Sequence, residues 1–184
     1  DIPLVEDVSD CDILLGIKEV PLDSLIRGKT YLYFSHTIKK QPYNRLLLKR
    51  MVDLGIEMID YEVLCDNSNQ RLIGFGRYAG IVGAYNGFLT YGLKSNRYSL
   101  KPAYSCQGRK ELEAELVKIS LLEEKIVLTG GGRVAHGALE ILAEAGIDEV
   151  SPNDILHKEF DYPVFCRLDT MDYVERIDGD VSEK

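Results

Sequence analysis

The chain has 184 residues, of which 45% are hydrophobic and 28% are charged, a balance typical of a globular protein with one or two domains. Its net charge of −8 argues against a nucleic-acid-binding protein, which needs a basic face. The cysteines do not follow the spacing of a zinc site, so they predict reduced thiols, a cytoplasmic location and no bound metal. They are Cys11, Cys65, Cys106 and Cys166.

Apolar runs in the first part of the chain predict strands. In residues 12–18 and 30–36, apolar side chains follow one another directly instead of occupying every second position, as in the buried strands of a parallel sheet. Residues 56–64 predict the next strand. After a polar turn, residues 71–75 are predicted to return as a further strand.

A helix is predicted between the second and third of these strands. Pro42 suits a first helical turn, and Leu47, Met51 and Leu54 recur on one face. Gly55 follows at the position where a glycine commonly ends a helix.

Residues 75–92 are apolar and rich in glycine, with small residues recurring every four positions. This spacing predicts a helix face on which another backbone can approach closely. A membrane helix is the alternative, since the same spacing occurs in membrane packing. Arg77 and Asn86 interrupt the run, so we expect no membrane span. The small residues are Gly76 and Gly80 in one row and Ala79, Gly83 and Gly87 in another.

An apolar strand, a glycine cluster and a helix follow one another in residues 124–146. Gly130, Gly132 and Ala135 fit the G-x-G-x-x-A form of the dinucleotide-binding fingerprint. In that motif the glycines allow a tight turn and close approach of the backbone to a pyrophosphate, which the helix N-terminus attracts. The intervening Arg133 and Val134 are expected to take part in cofactor binding.

A ribose-binding residue is expected about 20 residues beyond the glycine cluster. Asp154 lies at this distance, but Ser151 and Pro152 also predict the start of a short helix there. Asp154 is then either the ribose ligand or a first-turn acid, with Ser151 nearer the ribose. A further strand is predicted over residues 163–169.

Strands and helices alternate along the chain, which predicts an α/β protein with Rossmann-like parallel sheets and flanking helices. We expect a substrate or catalytic domain over residues 1–105, a connecting helix over 106–123 and the first half of a dinucleotide domain over 124–184. A full dinucleotide domain has two βαβαβ halves. Since the tail from residue 170 is polar, the dinucleotide domain is expected to be incomplete.

Lys18 and His36 each end an apolar strand, and ligands of open α/β sheets bind beyond the carboxyl ends of strands. Taken singly, Lys18 fits a surface ion pair with Glu19, and His36 fits a cap of the next helix. Together with a nucleotide site downstream, they favour an acid/base pair, since histidine suits proton transfer near neutral pH and lysine can be tuned toward it. Four further charged residues occupy comparable positions: Glu19, Lys39, Glu62 and Arg71.

Five strings of the sequence, in order along the chain, resemble the lysine-forming saccharopine dehydrogenase family. That family belongs to a broader group with alanine dehydrogenase and the N-terminal part of pyridine-nucleotide transhydrogenase. The strings are LGIKEVP at 15–21, YFSHTIKKQ at 33–41, IDYEVL at 59–64, RLIGFGRYAGIVGAYNG at 71–87 and GGGRVAHGA at 130–138.

The resemblance implies an NAD-dependent enzyme that converts saccharopine to lysine and 2-oxoglutarate. It implies that Lys18 and His36 are the acid/base residues and that Glu19 and Glu62 tune them by proximity. Lys39 and Arg71 would bind the substrate carboxylates. The N-terminal stretch of the family is absent here, so the resemblance implies that the first domain is incomplete as well as the second.

Two alternatives stay open at this point. The same lysine and histidine would serve an alanine dehydrogenase, although the basic HTIKK segment suits a substrate with several carboxylates better. The half-sized nucleotide domain also fits a non-catalytic nucleotide-binding fragment or subunit. The expected partner is a small amino-acid substrate, not a nucleic acid or a membrane. The preference between NAD and NADP is left open. Assembly as a homo-oligomer is also left open.

Overall fold

The computed structural model describes residues 3–175 and residue 177. The chain divides into two compact units, Asp1–Gly74 and Phe75–Lys184. This division lies before the domain boundary predicted at residue 105, because the helix that starts at Gly76 packs within the second unit. The predicted assignment of a catalytic and a nucleotide-binding domain stays a prediction.

The first unit contains a three-stranded parallel sheet in the order β1-β2-β3, with a helix between the second and third strands. The predicted strands are confirmed, although the third is shorter than expected. The bounds are Ile13–Lys18 for β1, Thr30–Phe34 for β2, Asn44–Asp53 for helix α1 and Glu57–Asp60 for β3.

Helix α1 covers one face of this sheet through the apolar positions that its spacing predicted. Leu47, Met51 and Leu54 are buried in one cluster with Tyr31 and Tyr33 of β2. Burial of such side chains stabilises each by roughly 1.5–3 kcal/mol relative to exposure. The contact fixes the end of β2 relative to the start of the helix.

The ends of α1 agree with the sequence prediction to within two residues. Pro42 lies in the turn before the helix, where its carbonyl accepts the N–H of Arg45 at 3.2 Å, and the helix begins at Asn44. Gly55 has a φ of 61° and ends the helix as predicted, because glycine adopts this left-handed conformation at little cost.

The strand predicted over residues 71–75 is wrong. A single antiparallel bridge joins Cys65 to Arg71 around the turn of Asp66, and no ladder continues beyond it. The backbone of Leu72 still donates to Leu64 at 2.8 Å, so the segment folds back as a short loop.

The second unit contains a three-stranded parallel sheet in the order β4-β6-β5. Its alternating strands and helices confirm the α/β prediction. In chain order the elements are α2 (Gly76–Ser95), α3 (Arg109–Leu116), β4 (Lys125–Thr129), α4 (Arg133–Glu144), β5 (Asp148–Glu149), α5 (Pro152–His157), β6 (Val164–Leu168) and α6 (Thr170–Tyr173).

Helices α2 and α4 cross with their backbones in close contact, as the glycine spacing predicted. A Cβ atom added at Gly80 would lie 1.9 Å from the carbonyl oxygen of Val134, and one at Gly137 would lie 1.9 Å from that of Arg77. Gly83, in the other row of small residues, has no atom of the described residues within 4 Å of such a position. Within the described chain, no helix combines the length and apolar character needed to cross a membrane.

Candidate active site

The site in the first unit forms where β2 ends. His36 follows the strand in a left-handed conformation, with φ at 58°, and a 3-10 turn over Thr37–Lys39 reverses the chain. Residues other than glycine rarely adopt this conformation, and it occurs preferentially at functional sites. The buried side chain of Asn44, at the start of α1, donates to the carbonyl of His36 at 3.0 Å.

Asp60, at the end of β3, links the ends of β2 and β3 by hydrogen bonds. Its carboxylate accepts hydrogen bonds from the buried Ser35 hydroxyl and from the backbone N–H of Glu62, the latter at 2.8 Å. Ser35 precedes His36, so one buried carboxylate positions the residues on both sides of the site. Buried polar groups need partners of this kind, because an unpaired one is costly.

His36 and Glu62 meet across the ends of β2 and β3. The Nδ1 atom of the histidine lies 2.9 Å from Oε2 of Glu62, whose side chain is only 3% exposed. A carboxylate can only accept a hydrogen bond, so Nδ1 of His36 carries the hydrogen and Glu62 accepts the bond. In the neutral ring this leaves Nε2 as the nitrogen that exchanges a proton with a bound molecule.

Two cations surround the same carboxylate. Nζ of Lys39 lies 3.2 Å from Oε1 of Glu62, and Nη2 of Arg71 lies 3.8 Å from it. Burial opposes ionisation of Glu62, but the hydrogen bonds and charges of Lys39 and His36 outweigh it and lower the pKa of Glu62. Nζ of Lys39 is also 3.0 Å from Nδ1 of His36, but this is a contact without a hydrogen bond, since Nδ1 already donates to Glu62.

Lys18 and Glu19 lie at the end of β1, the neighbouring strand. Lys18 is in register with Phe34, two residues before His36, so all three strands bring their ends to one edge of the sheet. Both side chains are exposed, and neither forms a side-chain hydrogen bond or ion pair with another described residue. The structure therefore brings four of the six predicted residues into one contact network, and places Lys18 and Glu19 at the same sheet edge outside it.

Sequence reasoning missed three residues that hold this network: Ser35, Asn44 and Asp60. A signal was present for two of them. Ser35 and Asp60 are polar residues at the ends of apolar strands, one and two positions before residues that were selected. Asn44 gave no such signal, because its role depends on how α1 packs.

In the second unit, the glycine cluster connects β4 to α4 in the predicted way. Gly130 has a φ of 95°, and its N–H donates to the carbonyl of Leu168 at 2.8 Å. Gly132 precedes α4, and no described side chain caps this helix end. Cβ atoms added at Gly130 or Gly132 would meet no other part of the described chain within 4 Å, so the loop leaves room there for a ligand beside its backbone.

The other predicted cofactor residues are distributed as follows. Arg133, Val134 and Ala135 form the first turn of α4, and Ala135 is buried. Ser151 caps α5 by accepting the N–H of Asp154 at 3.1 Å, and Asp154 pairs with Lys158 at 3.0 Å. Both follow β5, which β6 separates from β4, so the structure does not bring them to the glycine loop.

Metal-ligating side chains do not converge in the described part of the chain. No group of three or more histidine, cysteine, aspartate or glutamate residues is placed there to hold an ion. All four cysteines are free thiols, and Cys166 is buried in β6.

The curated relatives described here carry one of two names. The rat protein named alpha-aminoadipic semialdehyde synthase, mitochondrial, is 31% identical over 170 residues, which cover 83% of this chain and 18% of the relative. The Arabidopsis thaliana protein named alpha-aminoadipic semialdehyde synthase is 31% identical over 155 residues, which cover 74% of this chain and 14% of the relative. Saccharopine dehydrogenase [NAD(+), L-lysine-forming] from Yarrowia lipolytica is 26% identical over 148 residues, which cover 74% of this chain and 40% of the relative. No protein-family model matches the chain.

A solved structure named L-alanine dehydrogenase has a similar fold. It superposes with a TM-score of 0.52 and 11% identity over 93% of this chain and 46% of its own. At this identity the similarity extends to the fold alone. The chain spans less than half the length of each of these four proteins.

Proposed function

Because this chain is homologous to a segment of the alpha-aminoadipic semialdehyde synthases and saccharopine dehydrogenases, we propose that it belongs to an oxidoreductase acting on the C–N bond of an amino acid. The proposed reaction is the oxidation of saccharopine to lysine and 2-oxoglutarate with NAD as hydride acceptor. The name of the Yarrowia lipolytica relative includes this dinucleotide and this product.

His36 is the proposed acid/base group. Oxidation of a secondary amine releases its N–H proton as hydride leaves the neighbouring carbon, so a base must lie within reach. Nε2 of His36 is suited to take this proton, because Glu62 binds Nδ1–H and stabilises the imidazolium that forms. The same nitrogen can return a proton when water adds to the resulting imine and the product amine leaves.

The charge of the site fits an anionic substrate. Lys39 and Arg71 are positive and partly exposed, whereas the carboxylates of Glu62 and Asp60 beside them are buried, so the accessible charge of the network is positive. The side chains of Lys39 and Arg71 are 47% and 46% exposed, which leaves part of each cation accessible to a carboxylate in solution. Saccharopine has three carboxylates, whereas alanine has one, so the cations favour the larger substrate.

The glycine loop of the second unit is the proposed binding site for the pyrophosphate of the cofactor. The loop residues fit this group, because Gly130 and Gly132 expose backbone without an obstructing Cβ and the first turn of α4 directs N–H groups toward the same place. When bound, the nicotinamide ring would supply the hydride acceptor. Arg133 and Val134 would contribute their backbone N–H groups at the helix start.

The observation that carries the proposal is the 2.9 Å hydrogen bond between His36 and the buried Glu62 at the carboxyl end of a parallel sheet. Its test is a substrate panel with the full polypeptide that contains this chain. NADH formation would be measured with saccharopine and with alanine, and NADH consumption with lysine plus 2-oxoglutarate. Turnover of saccharopine in both directions is the expected result.

Two other outcomes have defined meanings. Turnover of alanine without saccharopine would replace the proposed substrate while keeping the chemistry. Binding of NADH in calorimetry with no turnover of any amino acid would identify a nucleotide-binding subunit without this activity and would reject the proposal.

A further inference from the structure

A groove in the first unit lies beside the candidate active site. It has a volume of about 340 Å³ and lies between the segment that follows β1 and the first turns of α1. Val20 and Leu22 line it on the side of β1, and Tyr43, Leu46 and Leu47 line it on the side of α1. A volume of this size is at the lower end of the range of small-molecule sites.

The groove shares residues with the surroundings of His36. Asn44 lines the groove, and its side chain donates to the carbonyl of His36 at 3.0 Å. Glu19 also lines the groove and directly follows Lys18, the last residue of β1. An extended molecule bound at His36 can therefore place one arm in this groove.

The surface of the groove combines exposed apolar side chains with one carboxylate. Leu22 and Leu46 are 37% and 63% exposed, so both can contact a ligand. Glu19 is exposed and forms no side-chain hydrogen bond or ion pair with another described residue, so its charge is accessible to a cation. A ligand that matches both features has an aliphatic segment and a positively charged group.

The groove and the cations near Glu62 differ in charge. Lys39 and Arg71 are partly exposed cations, whereas no lysine or arginine of the described chain lines the groove. Saccharopine has two halves that differ in the same way, joined at the secondary amine. One half is a glutarate with two carboxylates. The other is a lysine with four methylenes and an α-ammonium group, and the carboxylate beside that ammonium can stay in water at the open side of the groove.

We propose that this groove binds the lysine half of saccharopine, with the methylenes against Leu22 and Leu46 and the α-ammonium at Glu19. The proposal rests on the substrate proposed above and assigns the glutarate half to Lys39 and Arg71. Each methylene that such a groove removes from water changes the affinity about fourfold. The two leucines therefore determine specificity for a long aliphatic arm.

The test is the reverse reaction of the full polypeptide, with the concentrations of lysine, 2-oxoglutarate and NADH varied in turn. Leu22→Ala and Leu46→Ala truncate exposed side chains, so the fold is retained. Each variant should raise the KM for lysine about 4- to 15-fold, the equivalent of one or two buried methylenes. The KM for 2-oxoglutarate should stay within about twofold of the wild type, because this half binds elsewhere.

A matched control is available on the same helix. Leu48 is 47% exposed and does not line the groove, so Leu48→Ala should leave the KM for lysine unchanged. A rise of equal size in Leu48→Ala and Leu46→Ala would show a general effect of α1 and would overturn the groove as the binding site.

Glu19→Gln tests the ammonium contact separately, because it removes the charge and keeps the shape of the side chain. The KM for lysine should rise about 10-fold, the lower end of the effect of losing a hydrogen bond to a charged group. A fall in kcat with an unchanged KM for lysine would mean that Glu19 acts on the neighbouring Lys18 and would overturn the contact.

The remaining outcomes separate this proposal from the one on which it rests. Saccharopine turnover by the wild type, with an unchanged KM for lysine in both leucine variants, would overturn the groove alone. A rise in the KM for 2-oxoglutarate instead would assign the other half of the substrate to the groove and would also overturn it. A wild type that turns over neither saccharopine nor lysine would overturn both proposals.

Discussion

The carboxylate of Glu62 contacts three side chains, His36, Lys39 and Arg71, and is itself almost fully buried. Its negative charge orients the imidazole and offsets part of the positive charge around it. Because both cations retain exposed surface, a substrate carboxylate can compete for them while His36 stays bound to Glu62. At the scale of the residue, the chemistry of the site therefore depends on one buried charge.

Replacing this charge tests the dependence. Glu62→Gln keeps the shape of the side chain but weakens its bond to the imidazolium, a loss of roughly 1.5–3 kcal/mol. We expect turnover to fall about 10- to 100-fold. The loss should appear in kcat, because the bond to Glu62 strengthens as the imidazolium forms in the reaction.

Steady-state kinetics measure kcat and KM separately. Glu57→Gln, an exposed change on the same strand, is the control and should leave both constants unchanged. A Glu62→Gln enzyme with unchanged kcat would contradict this role of Glu62.

The sequence was sufficient to predict the composition of this network but not its geometry. His36, Lys39, Glu62 and Arg71 were predicted from strand ends and from the resemblance, and they lie together in the structure. The pairing of His36 with Glu62 depends on the left-handed turn and on the bond from Asn44, which are consequences of tertiary packing.

At the scale of the element, the crossing of α2 and α4 is the closest backbone contact that the sequence predicted. The carbonyl of Val134 occupies the space that a side chain at Gly80 would need. The glycine spacing could predict this contact, because only residues without a Cβ permit it. It could not predict which row of small residues would form the crossing.

Gly80→Ala is expected to destabilise the second unit by about 1–3 kcal/mol or more, the usual cost of overpacking. The added methyl group would meet the backbone carbonyl of Val134, which cannot move aside as a side chain can. Gly83→Ala lies on the same helix in open space and should stabilise the protein by up to about 1 kcal/mol through helix propensity. Urea unfolding of the two variants measures the difference. Equal stabilities would show that the helices do not cross at Gly80.

An ion network links α2, α3 and α4, and its effect depends on pH. Hydrogen bonds from Arg77 and then Arg109 lower the pKa of Glu140 from 4.5 to about 2. The depressed pKa means that Glu140 stabilises the folded state fully above pH 4.5 and loses this effect as the pH falls through about 2. Glu140→Gln should therefore be less stable than the wild type near neutral pH.

The difference between Glu140→Gln and the wild type should shrink as the pH falls toward about 2, because protonation then removes from the wild type the charge that the variant already lacks. Chemical unfolding at several pH values follows this convergence. Glu144→Gln, an exposed change on the same helix, should run parallel to the wild type. A constant difference across pH for Glu140→Gln would contradict the coupling to the two arginines.

At the scale of the whole molecule, each compact unit presents its candidate ligand groups at the carboxyl ends of a parallel sheet. His36 and Glu62 follow β2 and β3 in the first unit, and Gly130 follows β4 in the second. Apolar runs were enough to predict the α/β class and the sheets. The order β4-β6-β5 was not predictable from them, because a run of apolar residues does not specify its neighbour. The cytoplasmic location stays a prediction.

The central claim is that His36 moves the proton in an amino-acid dehydrogenase reaction. Turnover of saccharopine by the His36→Gln variant of the full polypeptide, beside its affinity for NADH, tests it most directly. The account predicts that kcat falls about 10²- to 10⁴-fold, the usual contribution of an acid/base group, while NADH binding is retained. Unchanged turnover with intact NADH binding would contradict it.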